Sequence, residues 1–163
     1  MSPIILQPHK LSLNLYAQNP AKPFYCMASP YYQDEYAIIE LDASVPCIQV
    51  TLNGIPRFSE HYQLVQIKRL ELMRRERANF PKLQMLTDSR TAGPVLDEDV
   101  RYFKDHVLPA MAEAGIHHLA IVMPSNKFTQ LTIREMTEGS EKVYVRYFDV
   151  LEDAKQWLKE MSA

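Results

Sequence analysis

Polar side chains that are able to bind a ligand follow two apolar segments, at the points where strands are expected to end. Asp88, Ser89 and Arg90 close one such segment, and Ser125 and Lys127 come just after another. Ligands of open α/β sheets bind at the carboxyl ends of the parallel strands, where helix amides are also available for an anion. The sequence therefore predicts that these five side chains converge on one polar ligand.

A structural role for the same residues is the alternative. Ser125 and Asp149 precede helical segments and belong to the residue types that cap helix N-termini. Asp88 and Arg90 are two positions apart, which places them on one face of a strand, where the two side chains can pair with each other.

The first long helix is expected over residues 59–79, with an apolar inner side that consists of Leu64, Val65, Ile67, Leu72 and Met73. A run of charged residues at the end of this helix also suggests binding. Such a run is typical of a solvated face on which basic and acidic side chains pair, and we favour this interpretation. Docking to an anionic partner or a membrane surface is the alternative. The run consists of Lys68, Arg69, Glu71, Arg74, Arg75, Glu76 and Arg77.

The sequence contains no motif for metal binding or catalysis. His117 and His118 are adjacent, so on a strand they point to opposite faces and cannot share a metal. Gly-x-Ser-x-Gly, Walker and dinucleotide motifs are missing, and Cys47 is expected to be buried and inert. We therefore expect no cofactor, no metal and no enzymatic activity, with a hydrolase that uses the strand-end Asp and Ser residues as a third hypothesis.

The composition argues against several classes of partner. The chain has 163 residues, a net charge of −2 and two cysteines. This charge gives no field that attracts nucleic acid, and the cysteine count is typical of a reduced, cytoplasmic protein. The sequence has neither a signal-peptide pattern nor an apolar run near the ~20 residues that span a bilayer, so no integral membrane contact is expected.

The elements that must position these residues begin after a proline- and tyrosine-rich arm, predicted over residues 1–34. Frequent proline forces extended backbone, and Pro3, Pro8 and Pro20 are among several in this arm. Residues 10–16 (KLSLNLY) alternate leucine with polar residues, as a half-buried strand does. A disordered lead and an arm that lies on a surface are both consistent with this pattern.

The rest of the chain, residues 35–163, reads as one α/β domain of five strands and four helices in the order β-β-α-β-α-β-α-β-α. The short connection between the first two strands permits only an antiparallel hairpin, whereas strands separated by single helices must be parallel. The sheet is therefore mixed. The unbroken apolar segment 118–123 is expected at its centre, and Pro109 is expected to kink the second helix.

The strands carry one further signal, because several of them alternate apolar and polar residues. Residues 47–53, 83–86 and 143–147 all do so. A sheet buried equally on both faces has no reason to alternate in this way. The second face is therefore expected to be only partly covered by helices, with the arm, a partner or a ligand over the remainder.

The C-terminal sequence YFDVLEDAKQWL, residues 147–158, together with the element order, resembles the SpoIIAA-like family, which is related to STAS regulators and CRAL-TRIO lipid carriers. The segment LTDSR at 86–90 and the acidic start of the next helix are also similar to that family. The resemblance implies a sheet with helices stacked as a superhelix. The phosphorylatable serine of the STAS regulators has no counterpart in the segment TAGPVLD at 91–97, so it implies no phospho-switch here.

Together these features favour a non-enzymatic regulatory or protein-interaction module of STAS-like type that associates with itself as a homodimer. The alternative is a carrier or sensor of a small apolar or amphipathic, lipid-like ligand. The eight methionines, which line adaptable pockets well, support this alternative.

Overall fold

The computed structural model describes residues 29–163, which form a single sheet with helices on both faces. Most of the predicted arm, including the strand expected at residues 10–16, lies outside the described residues. The strands are β1 (Tyr32–Gln33), β2 (Ala37–Asp42), β3 (Cys47–Gly54), β4 (Gln84–Ala92), β5 (His118–Val122) and β6 (Tyr144–Phe148).

The strands lie in the sheet in the same order as in the chain, from β1 to β6. β1, β2 and β3 are joined antiparallel, and β3, β4, β5 and β6 are parallel. The mixed α/β sheet is thus as predicted, but it has six strands rather than five. The additional strand, β1, has only two residues, too few to show an alternating pattern, and it pairs Tyr32 with Ile39.

The helices follow the predicted order. They are α1 (Ser59–Glu76), α2 (Asp97–Tyr102), α3 (Leu108–Glu113), α4 (Lys127–Thr137) and α5 (Leu151–Ser162). A π-helical turn, Phe103–Val107, joins α2 to α3, so that these two make one continuous helix that the sequence predicts as a single element.

The sequence predicts a kink at Pro109, and directly before this proline the helix contains the π-helical turn. The amide of Leu108 donates to the carbonyl oxygen of Phe103, five residues back, which is the bond that defines a wide turn. Pro109 has no amide hydrogen, and its ring would clash with a carbonyl in a tight helix. The wide turn directly before Pro109 accommodates the ring without ending the helix.

The sequential strand order decides how the helices are distributed. Each crossover moves one strand along in the same direction, and with right-handed crossovers the connecting helices lie on one side. A large core accordingly joins α1, α2–α3 and α4 to one face, here called the three-helix face. A smaller core joins α5 to the other, the α5 face, where α5 packs on β4, β5 and β6. One helix covers that face only in part, as the alternation predicts.

The strand expected at the sheet centre lies nearer its end. β5 pairs on both sides, with β4 and β6, and four of its five residues are buried. Helices on one face and α5 on the other bury it, which explains its unbroken apolar sequence. Its neighbour β6 is the last strand in the order.

The inner side of α1 differs from the prediction. Leu64 and Ile67, expected inside, are 41% and 43% exposed. The buried stripe instead contains polar residues at helical spacing, and it consists of His61, Tyr62, Val65, Gln66, Arg69, Leu70, Leu72 and Met73. Arg69, predicted on a solvated face, is thus one of the most deeply buried side chains in the protein.

Candidate functional site

Two of the predicted site residues, Asp88 and Arg90, form an ion pair with each other. Arg90 binds Asp88 through two parallel hydrogen bonds, Nε to Oδ1 at 2.9 Å and Nη2 to Oδ2 at 2.8 Å. The Asp88 side chain is buried, whereas that of Arg90 is half exposed. Both lie on one face of β4, and the intervening Ser89 lies on the three-helix face. The structural alternative therefore holds for this pair.

Ser125 and Lys127 stand apart from the other predicted site residues. Both are exposed at the start of α4. Within residues 29–163, no side-chain hydrogen bond or ion pair joins either residue to Asp88 or Arg90. The expected convergence of all five side chains on one ligand stays a prediction.

The expected helix caps differ as well. Asn126, rather than Ser125, caps α4: its side-chain oxygen accepts a hydrogen bond from the amide of Thr129 at 3.1 Å. Asp149 does not cap α5, which has Val150 at that position and no side-chain cap. Each cap is shifted by one residue from the expected one.

A cavity lies at the carboxyl ends of the parallel strands, between the three-helix face, helices α1 and α4, and the π-helical turn. It encloses about 40 Å³, enough for a few water molecules or one small polar group. Ser89 is the one predicted site residue that lines it. The lining residues are Tyr36, Leu52, Tyr62, Gln66, Arg69, Thr87, Ser89, Ala92, Gly93, Val95, Phe103, Ile121, Thr129, Thr132, Ile133, Met136 and Thr137.

The charge in this cavity, here called the Arg69 cavity, comes from the buried guanidinium of Arg69. Its Nη2 donates to the hydroxyl oxygen of Thr87 at 3.2 Å. Its Nε and Nη1 are buried without a hydrogen-bond partner among the described residues. The guanidinium carbon lies 5.6 Å from the centroid of the Phe103 ring, in the π-helical turn. Burial lowers the pKa of Arg69 to about 10, so the group is still charged at neutral pH.

Two neighbours of Arg69 on the same stripe of α1 also lack partners. Among the described residues, the hydroxyl of Tyr62 and the side-chain oxygen of Gln66 are buried and make no hydrogen bond. Burial raises the pKa of Tyr62 well above its usual value, so the phenol is neutral and can donate. Buried polar atoms normally have partners. Tyr62, Gln66 and Arg69 all line one cavity, so their unsatisfied atoms mark it as a candidate polar site.

Exposed apolar side chains lie next to lining residues of this cavity. Ile55 lies against Gly93, so closely that a Cβ on Gly93 would be 2.7 Å from it. Leu96 follows Val95 in the chain, and Phe128 and Leu131 precede Thr129 and Thr132. These four side chains, here called the apolar rim, are between 59% and 70% exposed. The site thus combines a buried cation with an apolar entrance.

A helical-wheel argument could have found part of this site. Tyr62, Gln66 and Arg69 follow i, i+4 and i+7, and they share a stripe with Val65, Leu72 and Met73. The charged run at the end of this helix instead predicts that all of its basic residues, including Arg69, are exposed to solvent. The other walls of the cavity come from separate segments, and no local pattern brings them together.

Other chemically active groups are engaged in structural contacts. His61 Nε2 lies 2.7 Å from Asp34, and His61 Nδ1 accepts the amide hydrogen of Arg57. Burial raises the pKa of the Cys47 thiol, in line with the expected inert role. Between residues 29 and 163 no three His, Cys, Asp or Glu side chains are placed to hold a metal ion.

No protein-family model matches the sequence, and no curated protein matches it. None of the helices in the described part of the chain is both long and apolar enough to cross a membrane.

Proposed function

We propose that this protein is a carrier or sensor of a small amphipathic molecule, which binds in the Arg69 cavity. The observation that carries the proposal is the combination of unsatisfied polar atoms on residues that line the cavity with the exposed apolar rim beside other lining residues. Ligand sites are typically apolar concavities with a few polar groups that fix orientation, and in open α/β sheets they lie at the carboxyl ends of the strands. A ligand with a polar head group in the cavity and an apolar body along the rim would match both the unsatisfied polar atoms and the exposed apolar side chains.

Binding without chemistry is the activity that these residues support. Asp88 and Ser89, the pair that a hydrolase would use, point to opposite faces of β4, and Asp88 is held by Arg90. Cys47 belongs to the core on the α5 face, away from the cavity. The polar groups of the cavity are suited to holding a ligand, and none of them has a base beside it to act as an activated nucleophile.

A mutation that closes the entrance tests the proposal. Thr132 is a half-buried lining residue on α4, so Thr132→Trp places a large ring in the opening with little disturbance of the core. Glu135→Trp is the matched control, because Glu135 is exposed on the same helix and does not line the cavity. The measurement is the melting temperature with eight-carbon amphiphiles that differ in head group: octanoate, octanamide, octanol and octyl phosphate.

We expect at least one of these amphiphiles to stabilise the unmodified protein and the Glu135→Trp variant, but not the Thr132→Trp variant. A ligand at 100 times its Kd raises the free energy of unfolding by about 2.7 kcal/mol. If no amphiphile raises the melting temperature, and native mass spectrometry of protein purified from cells shows only the bare chain, the proposal is wrong.

Self-association as a STAS-like regulatory module is a second candidate, and the partly covered α5 face favours it. Among the described residues, α5 packs mainly on β4, β5 and β6 of that face. We propose that a second copy of the chain covers the remainder. The sequential strand order, with three connecting helices on one side, supports the proposed SpoIIAA-like assignment from which this candidate came.

A further inference from the structure

Arg69 points to a particular kind of ligand, because its charge has no partner. The side chain is only 1% exposed. Its single polar contact among the described residues is with a neutral hydroxyl, that of Thr87. A buried charge without an opposite charge is costly, and a bound anion removes that cost. Arg69 lies on the stripe of α1 that packs against the sheet, so the side chain cannot simply turn into solvent.

The donors that remain on Arg69 suit a carboxylate. A guanidinium has five N–H groups in a planar fork, and Thr87 accepts from one of them. The other Nη2 hydrogen still lies parallel to a hydrogen on either Nε or Nη1, and both of those atoms are without partners among the described residues. One complete two-pronged edge is therefore available, and this edge matches the two oxygens of a carboxylate.

The charge of the site indicates a single negative charge on the ligand. Arg69 is the one formally charged residue among those that line the cavity. Tyr62 offers a neutral hydroxyl donor, and the hydroxyl of Ser89 can donate or accept. Asp99, which is also buried without a partner, does not line the cavity. A dianion such as a phosphate monoester would carry a second charge that nothing in the cavity balances.

We infer that the Arg69 cavity binds the carboxylate of a monocarboxylic acid, with its apolar body passing between Gly93 and Thr132 to the apolar rim. This inference rests on the proposed function and narrows it to one ligand class. Fatty acids and arylalkanoic acids share this chemistry. Arg69 would bind the carboxylate of either kind of acid, so the length of the apolar rim decides which of the two binds more tightly.

The head-group comparison on the unmodified protein tests the inference directly. Calorimetry gives the Kd of octanoate, octanamide, octanol and octyl phosphate, which differ mainly in the head group. A charge-assisted hydrogen bond contributes about 10- to 150-fold in affinity. We expect octanoate to bind tighter than octanamide and octanol by that factor, and tighter than octyl phosphate. Phenylacetate and 4-phenylbutyrate, measured beside octanoate, distinguish the aromatic source from the aliphatic one.

Variants of Arg69 assign the preference to this residue. Arg69→Met keeps most of the packing volume and removes an unpaired buried charge, so we expect it to fold. It should bind octanoate no better than octanamide. Arg69→Lys keeps the charge but loses the fork, and it should retain part of the preference. Thr87→Val, which preserves shape, should weaken octanoate binding a few-fold, and circular dichroism of each variant checks that it is folded.

The two proposals fail in different ways. If octanamide or octanol binds as tightly as octanoate, and Thr132→Trp abolishes that binding, the cavity binds amphiphiles but the inferred carboxylate is wrong. Tighter binding of octyl phosphate would also overturn the inference and leave the proposed function in place. If no head group binds and the native mass is bare, the proposed function is wrong, and the inference fails with it.

Discussion

At the scale of single residues, the partner of Asp88 is what makes that buried carboxylate tolerable. Its two oxygens are held by Arg90, and the Asp88 side chain is 6% exposed. Removing Arg90 leaves a buried charge without its main partner, because the guanidinium supplies both side-chain hydrogen bonds that Asp88 receives. Arg90 therefore has a structural role, that of holding the Asp88 carboxylate.

We predict that Arg90→Ala lowers the free energy of unfolding by about 1–3 kcal/mol, the cost of an unsatisfied buried group. Lys127→Ala, at an exposed position of the same predicted site, should change it by no more than about 0.5 kcal/mol. Urea unfolding of both variants measures the difference. Equal and negligible effects would mean that Asp88 finds another partner.

A second residue-scale prediction concerns acid stability and Asp34. Burial alone would raise the pKa of Asp34, but hydrogen bonds from Tyr32, His61 and the amides of Tyr36 and Ala37 together lower it to about 2, from 3.8. A lowered pKa means that the carboxylate stabilises the fold above about pH 4. This contribution is lost as the pH falls from 3.8 towards 2.

We therefore expect Asp34→Asn to lower stability at neutral pH and to flatten the loss of stability between pH 4 and 2. Glu35→Gln is the control, because Glu35 is a neighbouring, largely exposed carboxylate paired with Arg57. Urea unfolding at several pH values gives both slopes. If the Asn variant shows the same acid slope as the unmodified protein, Asp34 is not the group responsible.

At the scale of elements, α5 depends on Trp157 for its attachment to the sheet. Trp157 is 5% exposed, and its ring lies 5.5 Å from that of His118 and 5.6 Å from that of Phe148. Trp157→Ala should lower the free energy of unfolding by about 3–5 kcal/mol. Gln156→Ala, one residue earlier and exposed, should have little effect. A loss below 1 kcal/mol for Trp157→Ala would show that other residues hold α5.

The same scale shows why the sequence predicts some features and misses others. The order of strands and helices follows from apolar period and turn residues, which are local, and it is correct apart from β1. The predicted inner side of α1 is correct at Val65, Leu72 and Met73, which are buried, and wrong at Leu64 and Ile67, which are 41% and 43% exposed. Tyr62, Gln66 and Arg69 take the inner positions instead, and only tertiary packing decides between the two stripes. The Arg69 cavity depends on the rotation of α1 about its axis.

At the scale of the whole molecule, self-association is the main open prediction. We expect a two-fold dimer, the commonest closed symmetry, because one face of the sheet is incompletely covered. Light scattering of the full chain at high micromolar concentration should give twice the 18.9 kDa of the chain. A mass of 18.9 kDa at that concentration would contradict the dimer. Removing residues 1–28 tests whether the arm contributes to the dimer. If it does, the truncated chain should dimerise more weakly.

The unequal covering of the two faces also has a consequence for biosynthesis. On the ribosome β3, β4 and β5 are each followed by a helix for the three-helix face, so this side of the growing sheet is shielded as it forms. The α5 face is covered later, because α5 is the last element of the chain. Among the described residues, Leu86, Ala120 and Val122 share their core with α5, whose 12 residues come after every strand. A nascent chain interrupted before Leu151 would therefore present a finished sheet with one bare, adhesive surface, the kind of product that chaperones and proteases recognise.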